Sequence, residues 1–168
     1  NNAGVNVYSP FLDLKPEDWQ WIMGINFMGV VHGMEVFVPR MLEQPGEKHI
    51  MNTASTAGIV ALGAGGTISA YSSTKHAVLG LSECLRAELG ARGVEVSTLC
   101  PGQVKSGLRR PGRYAPSVAQ NRPPEVWVDD PRLDPDVVTP GIIRGIKGNQ
   151  AFIFTDQEFR PLLEARTA

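Results

Sequence analysis

The stretch of sequence that decides the fold is Ala70-Tyr71-Ser72-Ser73-Thr74-Lys75-His76-Ala77. The residues after it are typical of a helix, because apolar side chains recur at intervals of three and four at Val78, Leu81, Leu85 and Leu89. Positions four apart stack on one helix face, so the phenol of Tyr71 and the ammonium of Lys75 are predicted to project side by side. A neighbouring cation lowers the pKa of a phenol, which suits general acid–base chemistry. Alone, the pair also fits a surface tyrosine beside a solvated lysine.

The composition is that of one ordinary globular domain, expected over residues 1–168. Of the 168 residues, 42% are hydrophobic and 20% are charged, a balance that argues against disorder. The formal net charge of -1 gives no electrostatic signature of a nucleic-acid partner or an anionic membrane. No uninterrupted apolar run reaches membrane-spanning length, and the first residues do not resemble a signal peptide. A cytoplasmic protein with no membrane partner is therefore expected.

Cysteine and histidine positions predict neither disulfides nor a metal site. Cys84 and Cys100 lie in a predicted helix and a predicted strand, without the spacing of a metal or redox motif. A reduced, intracellular setting is the simpler interpretation. The three histidines share no metal-ligand spacing, so no metal is expected.

Helical and strand-like segments alternate along the chain. Helices are predicted from Pro16 onward, after Tyr71 as far as the stop signals at 90–93, and near 137–146; strands are predicted at 49–53, 94–100 and 150–155. This alternation indicates an α/β fold with a parallel sheet and flanking helices. Three strands are few for such a sheet, so part of the sheet is expected to be missing.

Prolines and glycines predict where these elements are interrupted. Pro39 is expected to bend or end the first helix, and Pro140 with Gly141 is expected to interrupt the last one. Segment 107–135 has no sustained periodicity, which is typical of a mobile substrate lid or a disordered segment. A partly apolar lid wall would come from Tyr114, Val118, Val126 and Trp127.

Three polar features outside the Tyr71 helix are candidates for function. Segment 1–5 is rich in Asn and Gly, so it is either a place where a ligand approaches the backbone or a frayed terminus. Asn26 lies within an apolar helical stripe, where its amide either marks a local kink that holds water or is a satisfied core group. Ser55 follows a predicted strand, at the end of the sheet where α/β folds bind ligands.

Taken in order, these motifs resemble the short-chain dehydrogenase/reductase family. The motifs are Asn1-Asn2-Ala3-Gly4, Asn26, Ser55, Tyr71-x-x-x-Lys75 and Pro101-Gly102-x-Val104-x-Ser106. The resemblance runs over nearly the whole chain and is weakest between Ser106 and Pro135. It implies a Rossmann-type sheet and an NAD- or NADP-dependent enzyme that interconverts an alcohol and a ketone or aldehyde. It also implies a small-molecule substrate and a homodimer or homotetramer.

The resemblance assigns a catalytic role to four residues. Tyr71 would be the general acid in carbonyl reduction and the general base in alcohol oxidation. Lys75 would lower the pKa of Tyr71 and hold the nicotinamide ribose. Ser55 would stabilise charge on the substrate oxygen, with Thr53 and Thr56 as less favoured candidates. Asn26 would anchor a water that links Lys75 to solvent.

The resemblance assigns the remaining motif residues to the cofactor. Asn2, Ala3 and Gly4 would line the adenosine side of NAD or NADP. Pro101, Gly102 and Val104 would border the nicotinamide, together with Ser106, which stands where the family commonly has threonine. The loop between Ser55 and Tyr71 is somewhat longer than the family's usual loop.

The family's Gly-rich pyrophosphate-binding turn is absent from this sequence. No G-x-x-x-G-x-G pattern occurs, and 63–66 lacks the strand–turn–helix frame that such a turn needs. The chain is therefore predicted to be the C-terminal catalytic portion of an enzyme, and its preference between NAD and NADP is not readable. The alternative is a non-catalytic fragment, inactive by itself, that acts as a structural or interaction module through its exposed sheet edge.

Overall fold

A three-stranded parallel sheet organises the computed structural model, which describes residues 1–60, 68–109, 116 and 133–167. The strands are β1 (His49–Thr53), β2 (Glu95–Cys100) and β3 (Phe152–Phe154), in the order β1-β2-β3. Thr53 pairs with Leu99, and Cys100 pairs with Phe154. Because all three strands are parallel, their carboxyl ends meet at one edge of the sheet.

Helices pack on both faces of this sheet. The helices are α1 (Pro16–Met23), α2 (Gly29–Glu43), α3 (Ser69–Gly90), α4 (Pro135–Lys147) and α5 (Arg160–Thr167). Successive strand residues face opposite sides: Phe154 joins the main core with Val78 and Leu79 of α3, whereas Ile153 lies beneath Gly145 of α4. The predicted α/β class and the Rossmann-type sheet are confirmed, with three strands and three main helical segments as expected.

Helices α1 and α2 form one continuous rod joined by a π-helical turn, Gly24–Met28. The buried positions of the rod are Asp18, Ile22, Asn26, Val30 and Met34. Asp18 caps the start, where Lys15 is a poor cap, because its carboxylate accepts a hydrogen bond from the Lys15 backbone N–H (3.0 Å). The 28-residue rod contains an 18-residue window of mean hydropathy 1.4 and is long and apolar enough to cross a membrane. One such helix is weak evidence of a membrane span, because a core helix passes the same test.

One expected interruption is absent, because α4 runs unbroken through Pro140 and Gly141. Pro39 was expected to bend or end its helix, and α2 does not end there but continues to Glu43. Most of the predicted lid at 107–135, including Tyr114, Val118, Val126 and Trp127, lies outside the described residues.

The first residue extends the sheet beyond β1. The amino group of Asn1 donates to the Met51 carbonyl (2.8 Å), and the Thr53 N–H donates to the Asn1 carbonyl (2.9 Å). In a pair of parallel strands, one residue bonds to two residues of its neighbour that are two positions apart. Asn1 bonds in this way to Met51 and Thr53. Its side-chain amide also donates to Asn52 Oδ1 (2.7 Å). The beginning of the chain is therefore held in place and is not frayed.

Candidate active site

A cleft of about 770 Å³ lies at the carboxyl ends of the strands. Each strand contributes residues at or just beyond its end: Thr53, Ala54 and Ser55 from β1, Pro101 and Gly102 from β2, and Thr155 from β3. Helix α3 contributes Tyr71 and Lys75, and the first segment contributes residues 2–6. Strand ends in open α/β sheets are the usual place for a ligand, and this volume suits a small molecule or part of a cofactor.

Tyr71 and Lys75 project from the same face of α3 into this cleft. Both side chains are largely buried, with 7% and 3% of their surfaces exposed, so the alternative of a solvated surface pair is excluded. The Lys75 Nζ lies 5.7 Å from the centroid of the Tyr71 ring. It donates a hydrogen bond to the Thr53 carbonyl at the end of β1 (2.9 Å). The i, i+4 spacing thus places a phenol and an ammonium together, as predicted from the sequence.

Burial determines the protonation of this pair. Burial raises the pKa of Tyr71 to about 12, although a hydrogen bond to the Ser55 side chain acts in the opposite direction. Burial also lowers the pKa of Lys75 to about 8. The sequence predicted that Lys75 lowers the pKa of Tyr71. In this structure desolvation is the largest influence on both groups, because each charged form loses hydration inside the protein.

Ser55 is brought beside Tyr71 by a tight turn. The residue after β1 enters a 3-10 turn, Thr56–Gly58, and the Ser55 Oγ accepts the Ala57 N–H (3.1 Å). Its hydroxyl also lies 3.4 Å from the Pro101 carbonyl, which it can donate to. Of the two less favoured candidates, Thr53 lines the cleft but Thr56 does not. Ser55 lines the cleft with Tyr71, and its side chain acts to lower the pKa of that phenol.

Gly58 allows the turn to approach α3 closely. A Cβ atom at this position would lie 2.7 Å from the Lys75 carbonyl oxygen and 2.8 Å from its carbonyl carbon. Both are backbone atoms of the helix that carries Tyr71, so they cannot move aside independently. The missing side chain at Gly58 therefore sets the distance between Ser55 and Tyr71.

Asn26 lies inside the π-helical turn and is fully buried. Its Oδ1 accepts the Val5 N–H (2.8 Å), and its Nδ2 donates to the Val5 carbonyl (2.9 Å) and to Thr74 Oγ1 (3.0 Å). The Thr74 hydroxyl in turn donates to the Tyr71 carbonyl (2.7 Å). Both alternatives for Asn26 apply in part. It lies at a local irregularity of the helix, the π-helical turn, and its side-chain amide is hydrogen-bonded to protein groups. It joins the first segment to the Tyr71 helix.

The residues assigned to the cofactor converge on the cleft. All seven line it: Asn2, Ala3, Gly4, Pro101, Gly102, Val104 and Ser106. Gly4 faces Lys75 and Asn26, since a Cβ there would lie 3.6 Å from both Lys75 Nζ and Asn26 Oδ1. A single bridge between Val104 and Leu133 ties the segment after β2 to the start of α4.

The sequence did not single out Thr155, Trp21 or Asn6, which also line the cleft. Thr155 follows the last strand and could have been found by the rule that located Ser55. Trp21 and Asn6 carry no comparable signal, because their positions depend on how the first segment folds over α1. Trp21 packs on the apolar cluster that includes Tyr71.

The shape and chemistry of the cleft fit the nicotinamide end of a dinucleotide. Small residues at Ala3 and Gly4 leave the backbone open to close approach by a flat ring. The Lys75 ammonium beside Gly4 is a hydrogen-bond donor placed within the cleft. The rest of the lining mixes polar side chains, such as Asn6 and Thr139, with apolar ones, such as Val138 and Ile142.

Comparison with known proteins agrees with this site. The family model described as short chain dehydrogenase matches residues 1–115. The chain is 31% identical over 173 residues to the C alpha-dehydrogenase of Sphingobium sp. strain SYK-6, covering 98% of this chain and 56% of that protein. It is 28% identical over 182 residues to the CLA biosynthesis dehydrogenase/reductase of Lactiplantibacillus plantarum, covering 99% of this chain and 63% of that protein.

A solved structure shares the fold over almost the whole chain. It is a short chain dehydrogenase/reductase from Burkholderia phymatum in complex with NAD, with TM-score 0.83 and 30% sequence identity, and the match covers 99% of this chain and 63% of that one. The chain belongs to the short-chain dehydrogenase/reductase family. It spans 56% to 63% of the length of the two curated relatives named above.

Proposed function

We propose that the protein is an NAD- or NADP-dependent oxidoreductase that interconverts an alcohol and a ketone or aldehyde. The observation that carries the proposal is the convergence of Ser55, Tyr71 and Lys75 in one cleft, where Tyr71 and Lys75 are buried side by side on one helix face. Family membership supports the reaction class, and the related structure from Burkholderia phymatum contains NAD. The nicotinamide would supply or accept the hydride when the cofactor is bound.

Each residue of the site has a defined task in this proposal. A buried phenol with its pKa raised to about 12 stays protonated at neutral pH, so Tyr71 can donate a proton to a carbonyl oxygen. The Ser55 hydroxyl is a second donor for the same oxygen and stabilises the charge that develops on it. Lys75, which is held by the Thr53 carbonyl, would contact the cofactor ribose and lower the energy of a phenolate.

Asn26 and the residues around the cleft complete the proposed machinery. Asn26 fixes Val5 to the Tyr71 helix and thereby holds the segment Asn2, Ala3 and Gly4, which would line the cofactor. The water that the family resemblance places between Asn26 and Lys75 remains part of the proposal. Pro101, Gly102, Val104 and Ser106 would border the nicotinamide from the segment that follows β2.

The test uses the protein expressed from its complete gene, assayed with NADH and NADPH against a panel of ketones and aldehydes. Tyr71→Phe removes the phenolic proton donor, so turnover is expected to fall by about 10²-fold or more. Binding of the cofactor and the circular dichroism spectrum should be retained. Ser73→Ala is the control, because it removes a hydroxyl from an exposed residue of the same helix that does not line the cleft.

Two results would contradict the proposal. Near-normal turnover of Tyr71→Phe would remove the catalytic role of this residue. Failure of the protein to bind either NADH or NADPH at millimolar concentration would instead favour the alternative of a non-catalytic structural or interaction module.

A further inference from the structure

The end of β3 is hydrogen-bonded to the turn that follows β2. The Gly102 N–H donates to Thr155 Oγ1 (2.9 Å), and the Thr155 hydroxyl donates to Asp156 Oδ2 (3.1 Å). The amide, the hydroxyl and the carboxylate therefore form a directed chain in which each donor has its acceptor. A carboxylate at the end of such a chain fixes the direction of the Thr155 O–H, because an ionised carboxylate can only accept.

The same carboxylate also contacts Gly102 directly. A Cβ atom on Gly102 would overlap Asp156 Oδ2, so the carboxylate occupies the space of an absent side chain. The backbone of Gly102 is not in the left-handed region, so the constraint here is one of space: a side chain at this position would displace the Asp156 carboxylate. Hydrogen bonding and steric contact together leave the turn little freedom relative to β3.

This turn forms part of the proposed active site. Pro101, Gly102 and Thr155 all line the cleft that contains Tyr71 and Lys75. The Pro101 carbonyl accepts the Thr56 N–H (3.0 Å), which links the turn to the segment that carries Ser55. A displacement of the turn would therefore change the shape of the cofactor side of the cleft and reach Ser55 as well.

We infer that Thr155 and Asp156 are positioning residues for nicotinamide-cofactor binding, which act by holding the Pro101–Gly102 turn. The inference rests on the proposed function, since it assigns the cleft to NAD or NADP. Neither residue needs to touch the reacting atoms. They hold the Pro101–Gly102 turn in its binding geometry before the cofactor binds. This reduces the free energy that would otherwise be needed to order the turn on binding.

The first test compares Thr155→Val with Thr155→Ser in the protein expressed from its complete gene. Valine keeps the shape but removes the hydroxyl, so the KM for NADH or NADPH is expected to rise about three- to tenfold, the factor that one hydrogen bond contributes. The kcat at saturating cofactor should change by less than the KM. Serine retains the hydroxyl and should restore the KM to near the wild-type value.

The second test uses the contact between Gly102 and Asp156. Gly102→Ala forces the carboxylate to swing away and breaks its bond with Thr155, so the KM for the cofactor should rise. Removing the carboxylate in Gly102→Ala/Asp156→Ala makes room for the new methyl group. The double variant should therefore bind cofactor more tightly than the sum of the two single effects predicts.

The outcomes separate this inference from the proposed function. If the wild-type protein binds and turns over cofactor but Thr155→Val has an unchanged KM, the positioning role is wrong and the proposed function stands. If Thr155→Ser is as impaired as Thr155→Val, or if kcat and thermal stability fall while KM stays constant, Thr155 has a structural role only and the inference is overturned. A wild-type protein that binds neither NADH nor NADPH overturns both.

Discussion

Burial of single side chains controls the chemistry of the cleft. Tyr71 and Lys75 are both withdrawn from water, and the loss of hydration favours the neutral form of each. A neutral phenol is the form that a proton donor needs, whereas a lysine with its pKa lowered to about 8 changes charge just above physiological pH. The protonation of Lys75 is therefore the property of this site that is most sensitive to pH.

The pH dependence of carbonyl reduction should report this lysine. Lys75 is cationic below its pKa of about 8 and neutral above it, so kcat/KM is expected to be level in acid and to fall as pH rises through about 8. Tyr71 should add no titration in this range, because its pKa is raised to about 12. The measurement is a pH profile of kcat/KM, which reflects groups of the free enzyme.

Lys75→Arg provides the control for this profile. A guanidinium stays charged throughout the range, so the falling limb should disappear even if the overall rate is lower. A limb at the same pH in Lys75→Arg would show that another group causes it.

Some of these residue properties could be predicted from the sequence and others could not. The side-by-side arrangement of Tyr71 and Lys75 follows from helical geometry alone. The direction of the Tyr71 pKa shift does not, because it depends on how much of the phenol is covered by segments distant in sequence. The satisfied amide of Asn26 is a similar case, since its partner Val5 lies 21 residues away.

Between elements, the closest approach in the site is that of the 3-10 turn Thr56–Gly58 to helix α3. The turn carries Ser55 and the helix carries Tyr71, so their separation decides whether both hydroxyls can reach one substrate oxygen. At this point the backbone of Gly58 packs against the backbone of Lys75, so no side-chain rotation could relieve a clash with an added Cβ atom. The active site therefore depends on the absence of one methyl group.

Gly58→Ala should displace the turn from α3. A methyl group 2.7 Å from the Lys75 carbonyl oxygen cannot be accommodated in place, and misplacement of Ser55 should lower turnover about 10- to 100-fold. Gly80→Ala is the matched control, because Gly80 lies on the same helix and an added Cβ there meets nothing within 4 Å. Equal activities of the two variants would show that the turn tolerates the shift.

The ends of helices and strands could be predicted from the local sequence where no tertiary contact favoured a different end. Strand β1 runs over the predicted residues, His49–Thr53, because a turn precedes it and its apolar residues alternate in burial. The prediction failed at Pro140, where local preference favours an interruption and α4 continues, and α2 likewise does not end at Pro39. Packing against the rest of the protein outweighs these preferences, and sequence periodicity does not show its strength.

Across the whole fold, the cleft lies at the carboxyl ends of three parallel strands, and the helices that pack on the sheet hold these strand ends together. Ser55 and the Pro101–Gly102 turn were predicted because each follows a strand that could be recognised. Thr155 was missed because the predicted strand, 150–155, runs one residue past the observed end at Phe154, which placed Thr155 inside the strand and not after it. The role of Gly102 likewise depends on Asp156, 54 residues further along the chain.

Gly145→Ala should test how closely helix α4 packs against strand β3. A Cβ at Gly145 would lie 2.7 Å from Ile153 Cγ1 and 2.9 Å from its Cδ1, and Ile153 is only 2% exposed. Overpacking of this kind is expected to lower the free energy of unfolding by about 1–3 kcal/mol. The measurement is urea denaturation of the protein expressed from its complete gene.

Gly141→Ala is the control for this prediction, because its added Cβ would make only ordinary contact with Arg144 on the same helix. This change should leave stability within about 1 kcal/mol of the wild-type value, since alanine is the better helix former. If Gly145→Ala is as stable as Gly141→Ala, α4 can move away from β3 without loss.

The π-helical turn Gly24–Met28 has a consequence for sequence alignment. The buried positions on either side of it, from Asp18 to Met34, recur every four residues. On a regular α-helix, four residues rotate by about 40° more than one full turn. The π-helical turn holds more residues per turn, so it removes part of this excess rotation. A relative with a regular helix needs one residue fewer here. Its alignment with this chain should open a one-residue gap within 24–28, and a gap placed earlier would pair Asn26 with a residue that faces elsewhere.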